Sequence, residues 1–386
     1  MIAKRHILSL LLLLSLSLNS VKALNLSNEA EISIISCAPG DMIYECFGHT
    51  AVRVFDPKRN IDLVFNYGIF EFNKPNFELN FAKGYLEYKL GLSSYTRFLP
   101  YYIHGKRTIT EQVLNLNDKQ KQKLYDYLIW NEKPENRYYF YDYFFDNCAT
   151  RVRDVVENET GASITYNTNF KNELGYTMRD LIKQYAHNNE WSRLGIDLCL
   201  GMAIDRKITD AEYCFLPDYF MKTLATANID NEPLIKEERT VFKGVKRTTD
   251  SWFVSPIFVL WIFSIIFCAI YFSTKKIKLK KGLEIGILSI SGFLGMFLLS
   301  LWFLTDHDTA QNNLNVLWAM PLHILIPFLK PIWRKRYFLA YAIILVGLLL
   351  NWAWFPQSFN NAFFPIVTIL AVVSYLKYRN LKNKES

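Results

Sequence analysis

Cys148 stands where a thiol could be reactive. It follows YYFYDYFF, Tyr138–Phe145, in which seven of eight residues are aromatic, and it opens a polar segment whose apolar spacing predicts a helix. The start of a helix offers unpaired backbone N–H groups and the positive end of the helix dipole. Both features favour a thiolate over a thiol. Cys148 is therefore either a nucleophile at a helix start or a buried, unreactive thiol.

A thiol nucleophile needs a base within hydrogen-bond reach, and His49 is the best placed histidine. It begins an alternating, β-branched segment, His49–Val54. Turn residues follow at Asp56–Asn60, and a second apolar segment, Ile61–Gly68, comes after them. This pattern predicts a β-hairpin. His49 would lie at its open end, directly after Gly48.

The base in turn needs a polar group that orients it. Asn66 and Asp62, both on the returning strand of the hairpin, are the two candidates. They are four residues apart, so strand alternation puts them on the same face. The residues alone leave the choice between Asn66 and Asp62 open.

Cysteine usage allows disulfides without requiring them. The segment between residues 24 and 250 contains five of the six cysteines, and the sixth, Cys268, lies in an apolar run. Five is odd, so at least one thiol is unpaired. If that thiol is Cys148, the other four can pair in three ways. The local choice is Cys37–Cys46 with Cys199–Cys214, and four buried free thiols are the alternative.

The two ends of the chain predict an exported protein with a membrane anchor. Residues 1–23 combine Lys4 and Arg5, an apolar core of about a dozen residues and a small-residue cleavage site, which is typical of a signal peptide. Residues 24–250 form a soluble domain, and residues 251–386 contain five apolar runs. We expect these runs to span a membrane. They are Trp252–Phe272, Leu283–Leu304, Val316–Leu329, Tyr337–Phe355 and Ala362–Leu376.

Loop charges predict the orientation of these spans. The connectors TKKIKLKKG, KPIWRKR and KYRNLKNK are basic, whereas TDHDTAQNN and PQSFNN contain no Lys or Arg. Basic loops remain in the cytoplasm. Five spans then put residues 24–250 in the periplasm of a bacterial inner membrane and the C-terminus in the cytoplasm. The signal peptide predicts the same side independently.

The distribution of charge argues against a nucleic-acid partner. The net charge of the chain is +8, but residues 24–250 carry 28 basic and 32 acidic side chains. Residues 251–386 carry 13 basic and 4 acidic ones. The basic excess therefore lies in topology signals and not in the soluble domain. The sequence contains no CxxC or HExxH motif, so we expect neither a metal nor another cofactor.

The order of histidine before cysteine resembles the circularly permuted papain-like fold of NlpC-type hydrolases and lecithin–retinol acyltransferase. A longer likeness is more specific: the chain resembles the Lnb N-terminal periplasmic domain and the five-helix transmembrane domain attached to it, in Lnb-type lipoprotein N-acyltransferases of Bacteroidota. The segments that carry the resemblance are ECFGHTAVRV, FNYGIFEFNKPNFELNFAKGYLEYKLG, FFDNCATRVRD, DRKITDAEYCFLPDYF and FLTDHDTAQNNLNVLWAMPLHIL.

The resemblance implies an α+β papain-like domain, circularly permuted as in NlpC-type proteins, followed by an all-α five-helix transmembrane domain. It implies transfer of an acyl chain, through a thioester on Cys148, to the α-amine of the lipidated N-terminal cysteine of lipoproteins. His49 would be the base and Asn66 the orienting group. Lipoproteins and membrane lipids would be the substrates.

Two other functions fit the residues. Water in place of the amine would make the protein a membrane-bound periplasmic cysteine peptidase or amidase. A structural Cys148 would fit a membrane receptor or assembly module that is not an enzyme. The acyl donor, its chain length and the oligomeric state are not readable from any motif.

Overall fold

The computed structural model describes residues 24–70, 76, 79–80, 83–85, 87–161, 163–245 and 252–383. The predicted signal peptide, residues 1–23, lies outside these residues. The described chain consists of an N-terminal α/β domain with a large sheet and a C-terminal helical region, as the sequence predicts at that level.

A seven-stranded antiparallel sheet, in the order β10-β5-β1-β2-β3-β4-β6, organises the N-terminal domain. Strands β7, β8 and β9 form a separate small sheet. The described strands are β1 (Glu31–Cys37), β2 (His49–Asp56), β3 (Ile61–Ile69), β4 (Glu87–Ser94), β5 (Ile109–Leu114), β6 (Tyr138–Phe140), β7 (Ile164–Thr165), β8 (Asn228–Ile229), β9 (Glu232–Pro233) and β10 (Ile235–Phe242).

The predicted hairpin is confirmed as β2 and β3. Their register pairs Val52 with Phe65 and Asp56 with Ile61. The Asp56 carboxylate accepts hydrogen bonds from backbone N–H groups in the turn that follows, and Asn60 adopts φ 55°. Asparagine tolerates this left-handed conformation, which explains why the chain reverses here.

Helices cover both faces of the sheet, so its central strands are apolar on both sides. Ile32 and Ile34 of β1 pack on one face, where α2 and α3 lie, and Ile35 packs on the other, beside α1. The described helices of this domain are α1 (Tyr95–His104), α2 (Asp118–Glu132), α3 (Cys148–Thr160), α4 (Phe170–Glu173), α5 (Met178–Tyr185), α6 (Glu190–Cys199), α7 (Asp210–Tyr213) and α8 (Pro217–Thr226).

The C-terminal region contains long apolar helices. Among the described residues, three are long and apolar enough to cross a membrane: Pro256–Ser273, Ile277–Phe303 and Asn361–Lys382. They correspond to the first, second and fifth predicted spans. The α-helices of this region are α9 (Pro256–Ser273), α10 (Ile277–Phe303), α11 (Pro331–Leu350) and α12 (Phe364–Lys382).

The third and fourth predicted spans differ from the structure. Val316–Leu329 is not an α-helix, because its residues lie in two short 3₁₀ helices, of which the second is Pro321–Phe328. Pro327 lies inside the second one and has no N–H group to extend an α-helix. Helix α11 is long enough to span, but it begins six residues before the predicted start. Arg334 in its first turn donates to the carbonyl groups of the preceding 3₁₀ helix.

The two regions are joined by buried polar contacts. The Asn313 side chain donates to the Leu198 carbonyl over 2.7 Å, and the Asn315 side chain donates to the Asp197 carbonyl over 3.1 Å. Both asparagines are fully buried. The residues at the start of the first 3₁₀ helix therefore bind the N-terminal domain at the end of α6.

Arg179 is the centre of this junction. Its guanidinium pairs with Asp197 at 3.1 Å and with Asp205 at 2.8 Å, and the three side chains are at most 9% exposed. Asp197 also accepts from the Asn360 side chain, and Asp205 accepts from the Ser358 backbone. One cation thus fixes two carboxylates that both bind the C-terminal region.

Arg179→Met should weaken the junction strongly. The substitution removes the cation that pairs with Asp205 and leaves Asp197 only Arg193, whose Nε atom is 3.9 Å away. Losing one partner of a buried pair costs ~3–5 kcal/mol. We expect the midpoint of thermal unfolding in detergent, measured by tryptophan fluorescence, to fall by roughly 5–15 °C. Arg206→Met is the matched control, because Arg206 pairs with Glu212 at the surface and its side chain is 52% exposed. An equal fall in both variants would contradict a special role for Arg179.

Of the two alternatives for the cysteines, the structure shows thiols and not the local disulfides. None of the six cysteines forms a disulfide in the described structure, including Cys37, Cys46, Cys199 and Cys214. Cys37 pairs with His49 in the strand register and not with Cys46. Cys37, Cys46 and Cys214 are buried apolar side chains, which is an ordinary role for free cysteine.

Candidate active site

Helix α3 begins at Cys148, as predicted, and Asn147 caps it. The Asn147 Oδ1 atom accepts hydrogen bonds from the backbone N–H groups of Ala149 and Thr150, at 2.8 and 3.0 Å. Its Nδ2 atom donates to the carbonyl groups of Tyr143 and Phe215, both at 2.8 Å. The buried Asn147 side chain therefore connects the start of α3 to Tyr143, just before it, and to Phe215, in a distant segment.

The Cys148 side chain is nearly closed off from solvent, with 8% exposure. Burial raises the pKa of Cys148 to about 11. Hydrogen bonds from the backbone N–H groups of Thr50, Cys148 and Ala149 to the sulfur act in the opposite direction. Burial therefore opposes the features of the helix start that favour a thiolate, and the sequence does not reveal how far this helix start is desolvated.

His49 is the first residue of β2, and its ring is fixed by one short contact. The Nε2 atom lies 2.5 Å from Asn66 Oδ1. A carbonyl oxygen only accepts, so Nε2 carries the proton and Nδ1 is left as the basic nitrogen. Burial lowers the pKa of His49 to about 4, with the charge of Arg107 acting in the same direction and the Asn66 contact opposing it. His49 is therefore neutral at physiological pH.

Gly48 permits this placement of His49. Its φ is +86°, and a Cβ atom at this position would lie 2.9 Å from the Cys37 carbonyl oxygen. Any other residue would be strained and would push β1 away from the start of β2. Glycine therefore precedes His49 because it adopts this backbone conformation without strain.

The two candidates for the orienting group are separated by their contacts. Asn66 contacts His49, whereas both Asp62 oxygens bind Arg53, at 2.8 and 3.0 Å. The two pairs lie on the same face of the hairpin, four residues apart on both strands. Of the two, Asn66 is the group beside the imidazole.

The structure brings the elements that carry His49, Asn66 and Cys148 together. Thr50, the neighbour of His49, donates its N–H to the Cys148 sulfur. From β3, a Cβ atom built on Gly68 would lie 3.6 Å from the Cys148 Cβ atom. The hairpin thus meets the start of α3 from both of its strands. A thiol and a neutral imidazole with an amide partner can together perform general-base-assisted nucleophilic attack.

Arg107 is a neighbour of the site that the sequence did not indicate. It is 4% exposed, its Nε atom donates to the Ala38 carbonyl over 2.6 Å, and its Nη1 atom lies 3.4 Å from a Glu45 oxygen. Its guanidinium carbon is 4.7 Å from the centre of the Tyr102 ring, and that ring stacks on His49 with centroids 6.1 Å apart. The charge of Arg107 lowers the pKa of both Cys148 and His49.

Arg107→Met should make Cys148 less reactive toward an uncharged alkylating agent. Removing the cation raises the pKa of Cys148, and below that pKa the alkylation rate follows the thiolate fraction. We expect the rate at pH 8.5, measured by mass spectrometry of the Cys148 peptide, to fall about threefold to tenfold. Arg107→Lys should restore most of it.

Glu45→Gln is the control that separates charge from packing. It removes the negative charge beside Arg107, so the pKa of Cys148 should fall and its alkylation should become faster. Tyr139, Tyr141 and Tyr143 also surround Cys148 and stay unchanged in these variants. If both variants slow alkylation, Arg107 acts through packing and not through its charge.

The histidines of the C-terminal region lie away from these contacts. His323 is buried, and its Nδ1 atom lies 2.7 Å from the Tyr337 hydroxyl. His307 precedes a short 3₁₀ helix, and its neighbour Asp306 binds the Lys83 carbonyl through its backbone N–H. No group of three or more potential metal ligands occurs within the described parts of the chain.

Comparison with protein families gives two matches in consecutive parts of the chain. The family model of the Lnb N-terminal periplasmic domain matches residues 20–187, and that of the Lnb transmembrane domain matches residues 248–385. The chain belongs to the Lnb family. No curated protein and no solved structure matches it.

The Lnb matches bear on the site in two ways. The N-terminal match contains His49, Asn66, Arg107 and Cys148, so the contacts described above lie inside one family domain. The second match shows that the apolar helices belong to a transmembrane domain and that this Lnb protein is a membrane protein. Together the matches support a lipoprotein-modifying role at that general level.

Proposed function

We propose that this Lnb protein is a lipoprotein N-acyltransferase with a papain-like thiol mechanism. The acyl chain would pass through a thioester on Cys148 to the α-amine of a lipidated N-terminal cysteine. The observation that carries the proposal is the neutral His49–Asn66 pair on a hairpin whose two strands meet the helix start at Cys148, in a chain with its own transmembrane domain. A helix bearing the thiol and a sheet bearing the histidine are the arrangement that a papain-like site requires.

The first step forms the thioester. His49 Nδ1 takes the proton of the Cys148 thiol while the sulfur forms a bond to the carbonyl carbon of a lipid ester. The bond from this carbon to the ester oxygen then breaks, and the proton on His49 passes to that oxygen, which leaves as an alcohol. The backbone N–H groups of Thr50 and Cys148, which lie near the reacting sulfur, would stabilise the developing oxyanion, whereas the Ala149 N–H donates to Asn147 Oδ1.

The second step consumes the thioester. The neutral α-amine of the acceptor forms a bond to the carbonyl carbon, and His49 accepts one proton from its nitrogen. The carbon–sulfur bond breaks, and the proton returns to the Cys148 sulfur. The product is an amide, and the enzyme regains its thiol and its neutral imidazole.

The transmembrane domain gives this chemistry a physical context. Donor and acceptor both carry aliphatic chains, and lifting such chains into water costs ~0.8 kcal/mol per CH₂. A thiol held close to the membrane surface avoids this cost. The near-complete burial of Cys148 would also restrict water, which competes with the amine for the thioester.

The proposal includes the layout of the chain. Residues 1–23 would be a signal peptide, residues 24–250 the periplasmic acyltransferase domain, and residues 251–386 a five-span domain in the bacterial inner membrane with a cytoplasmic C-terminus. Basic connectors on one side of the apolar runs support this orientation.

The test is the N-terminus of cellular lipoproteins. Mass spectra from a strain that lacks this protein should lose the N-linked acyl chain and keep the two ester-linked chains. Restoring the gene should restore the third chain. Unchanged lipoproteins together with altered cell-wall peptides would instead indicate the hydrolase, in which water takes the place of the amine.

A further inference from the structure

A row of four aromatic rings runs from the protein surface to the nucleophile. It consists of Tyr44, Phe70, Tyr88 and Tyr141. The ring centroids are 6.5 Å apart between Tyr44 and Phe70, 5.4 Å between Phe70 and Tyr88, and 4.3 Å between Tyr88 and Tyr141. The last two rings are stacked, with 20° between their planes. We call these four residues the aromatic row.

The inner end of the aromatic row borders Cys148. A Cβ atom built on Gly68 would lie 3.6 Å from Tyr141 Cε2 and 3.6 Å from the Cys148 Cβ atom. Gly68 has φ +91°, a conformation that favours glycine. The Tyr141 ring and the Cys148 side chain therefore face the same side of Gly68.

The outer end of the aromatic row opens to the surface beside other apolar side chains. Tyr44 is 58% exposed, and Met42 and Ile43 before it are also exposed. Glu45 holds this segment, since it accepts a hydrogen bond from Tyr101 and pairs with Arg107. The exposed apolar end is therefore part of the same segment that leads into His49.

The chain between Phe70 and Tyr88 contacts the C-terminal region. Within it, the Lys83 carbonyl accepts the backbone N–H of Asp306 over 2.9 Å. Asp306 lies three residues after α10, a helix able to cross a membrane. The two middle rings of the aromatic row thus flank, in sequence, a segment that binds the transmembrane region.

We infer that the aromatic row binds the aliphatic chain of the acyl group that Cys148 carries. This inference rests on the proposed function and names its substrate more closely: a long-chain acyl ester. The four rings carry no charge, and contact with their faces removes the CH₂ groups of the chain from water. A peptide substrate would need hydrogen-bond partners that ring faces do not supply.

Tyr44→Ser tests the inference with donors of different chain length. The side chain is exposed, so the fold should persist. Formation of the Cys148 thioester is followed by intact-protein mass spectrometry with butanoyl and palmitoyl esters of one alcohol. We expect kcat/KM for the palmitoyl ester to fall about fivefold to tenfold and the value for the butanoyl ester to stay within about twofold.

Two matched variants accompany it. Tyr44→Phe keeps the ring and should match the wild type with both esters. Tyr138→Ser makes the same change at a tyrosine outside the aromatic row and should leave the chain-length preference intact. An equal loss with both esters, or no loss with either, would overturn the inference while leaving the proposed function standing. If wild-type Cys148 gains no acyl group from any ester, both the inference and the proposed function are wrong.

Discussion

Cys148→Ala is expected to abolish acyl transfer to lipoproteins. Without the sulfur there is no thioester, and neither His49 nor a backbone N–H can form the covalent intermediate. We expect the rate of N-acylation of a diacylated lipopeptide by purified protein in lipid to fall by at least about 10⁴-fold. The same preparation should lose the acyl adduct that the wild type gains when the amine acceptor is left out.

Cys199→Ala is the matched control for the thiol. Burial raises the pKa of Cys199 to about 11, as it does for Cys148, but Cys199 lies at the end of α6, away from His49. If any buried thiol with this pKa could act as the nucleophile, Cys199→Ala would lower activity as Cys148→Ala does. We expect the control to retain full activity. If the Cys148→Ala variant were active, the thiol mechanism would be wrong. A receptor or assembly module would then be the better interpretation of this protein.

His49→Ala is expected to have the next largest effect. The Cys148 thiol is protonated at neutral pH, so the attack needs a base that removes its proton. Loss of a positioned base costs about 10²- to 10⁴-fold in kcat/KM. Steady-state assays with the same lipopeptide measure this loss of kcat/KM. Asn66→Ala should cost less, on the order of tenfold to a hundredfold, because it removes only the group that orients the ring.

The pH profile separates a base from a structural histidine. A base acts when it is deprotonated, so activity rises with pH through the pKa of His49. That pKa is lowered to about 4, so kcat/KM for the ester donor, which reports formation of the thioester, should already be near its plateau at about pH 5.5. Asp62→Asn should leave this profile unchanged, since Asp62 pairs with Arg53. A half-maximal point near pH 6.5 would contradict a desolvated His49.

Local patterns predicted the parts of the site that depend on near neighbours. The hairpin follows from strand alternation and the Asp56–Asn60 turn, and the helix start follows from the change of pattern at Cys148. These signals depend on a few consecutive residues and are visible in the sequence. The apolar runs predicted α9, α10 and α12 for the same reason.

Features that depend on packing were not predicted. Arg107 is 58 residues from His49 and 41 from Cys148, and only the folded sheet brings their charges into range. Of the two alternatives for the cysteines, the sheet favours free thiols, because β1 pairs with β2 and keeps Cys37 beside His49. Hydropathy also does not show that Val316–Leu329 forms 3₁₀ helices, or that Asn313 and Asn315 before it bind the N-terminal domain.

The hairpin, the helix that starts at Cys148 and the long apolar helices can be predicted from the amino-acid sequence. Periodicity and apolar length are local properties, so they are readable one segment at a time. The contact of His49 with Asn66 instead of Asp62, the raised pKa of Cys148 and the lowered pKa of His49 emerge only in the folded protein. These outcomes depend on which distant groups approach and how much water they exclude, and no short stretch of sequence contains that information.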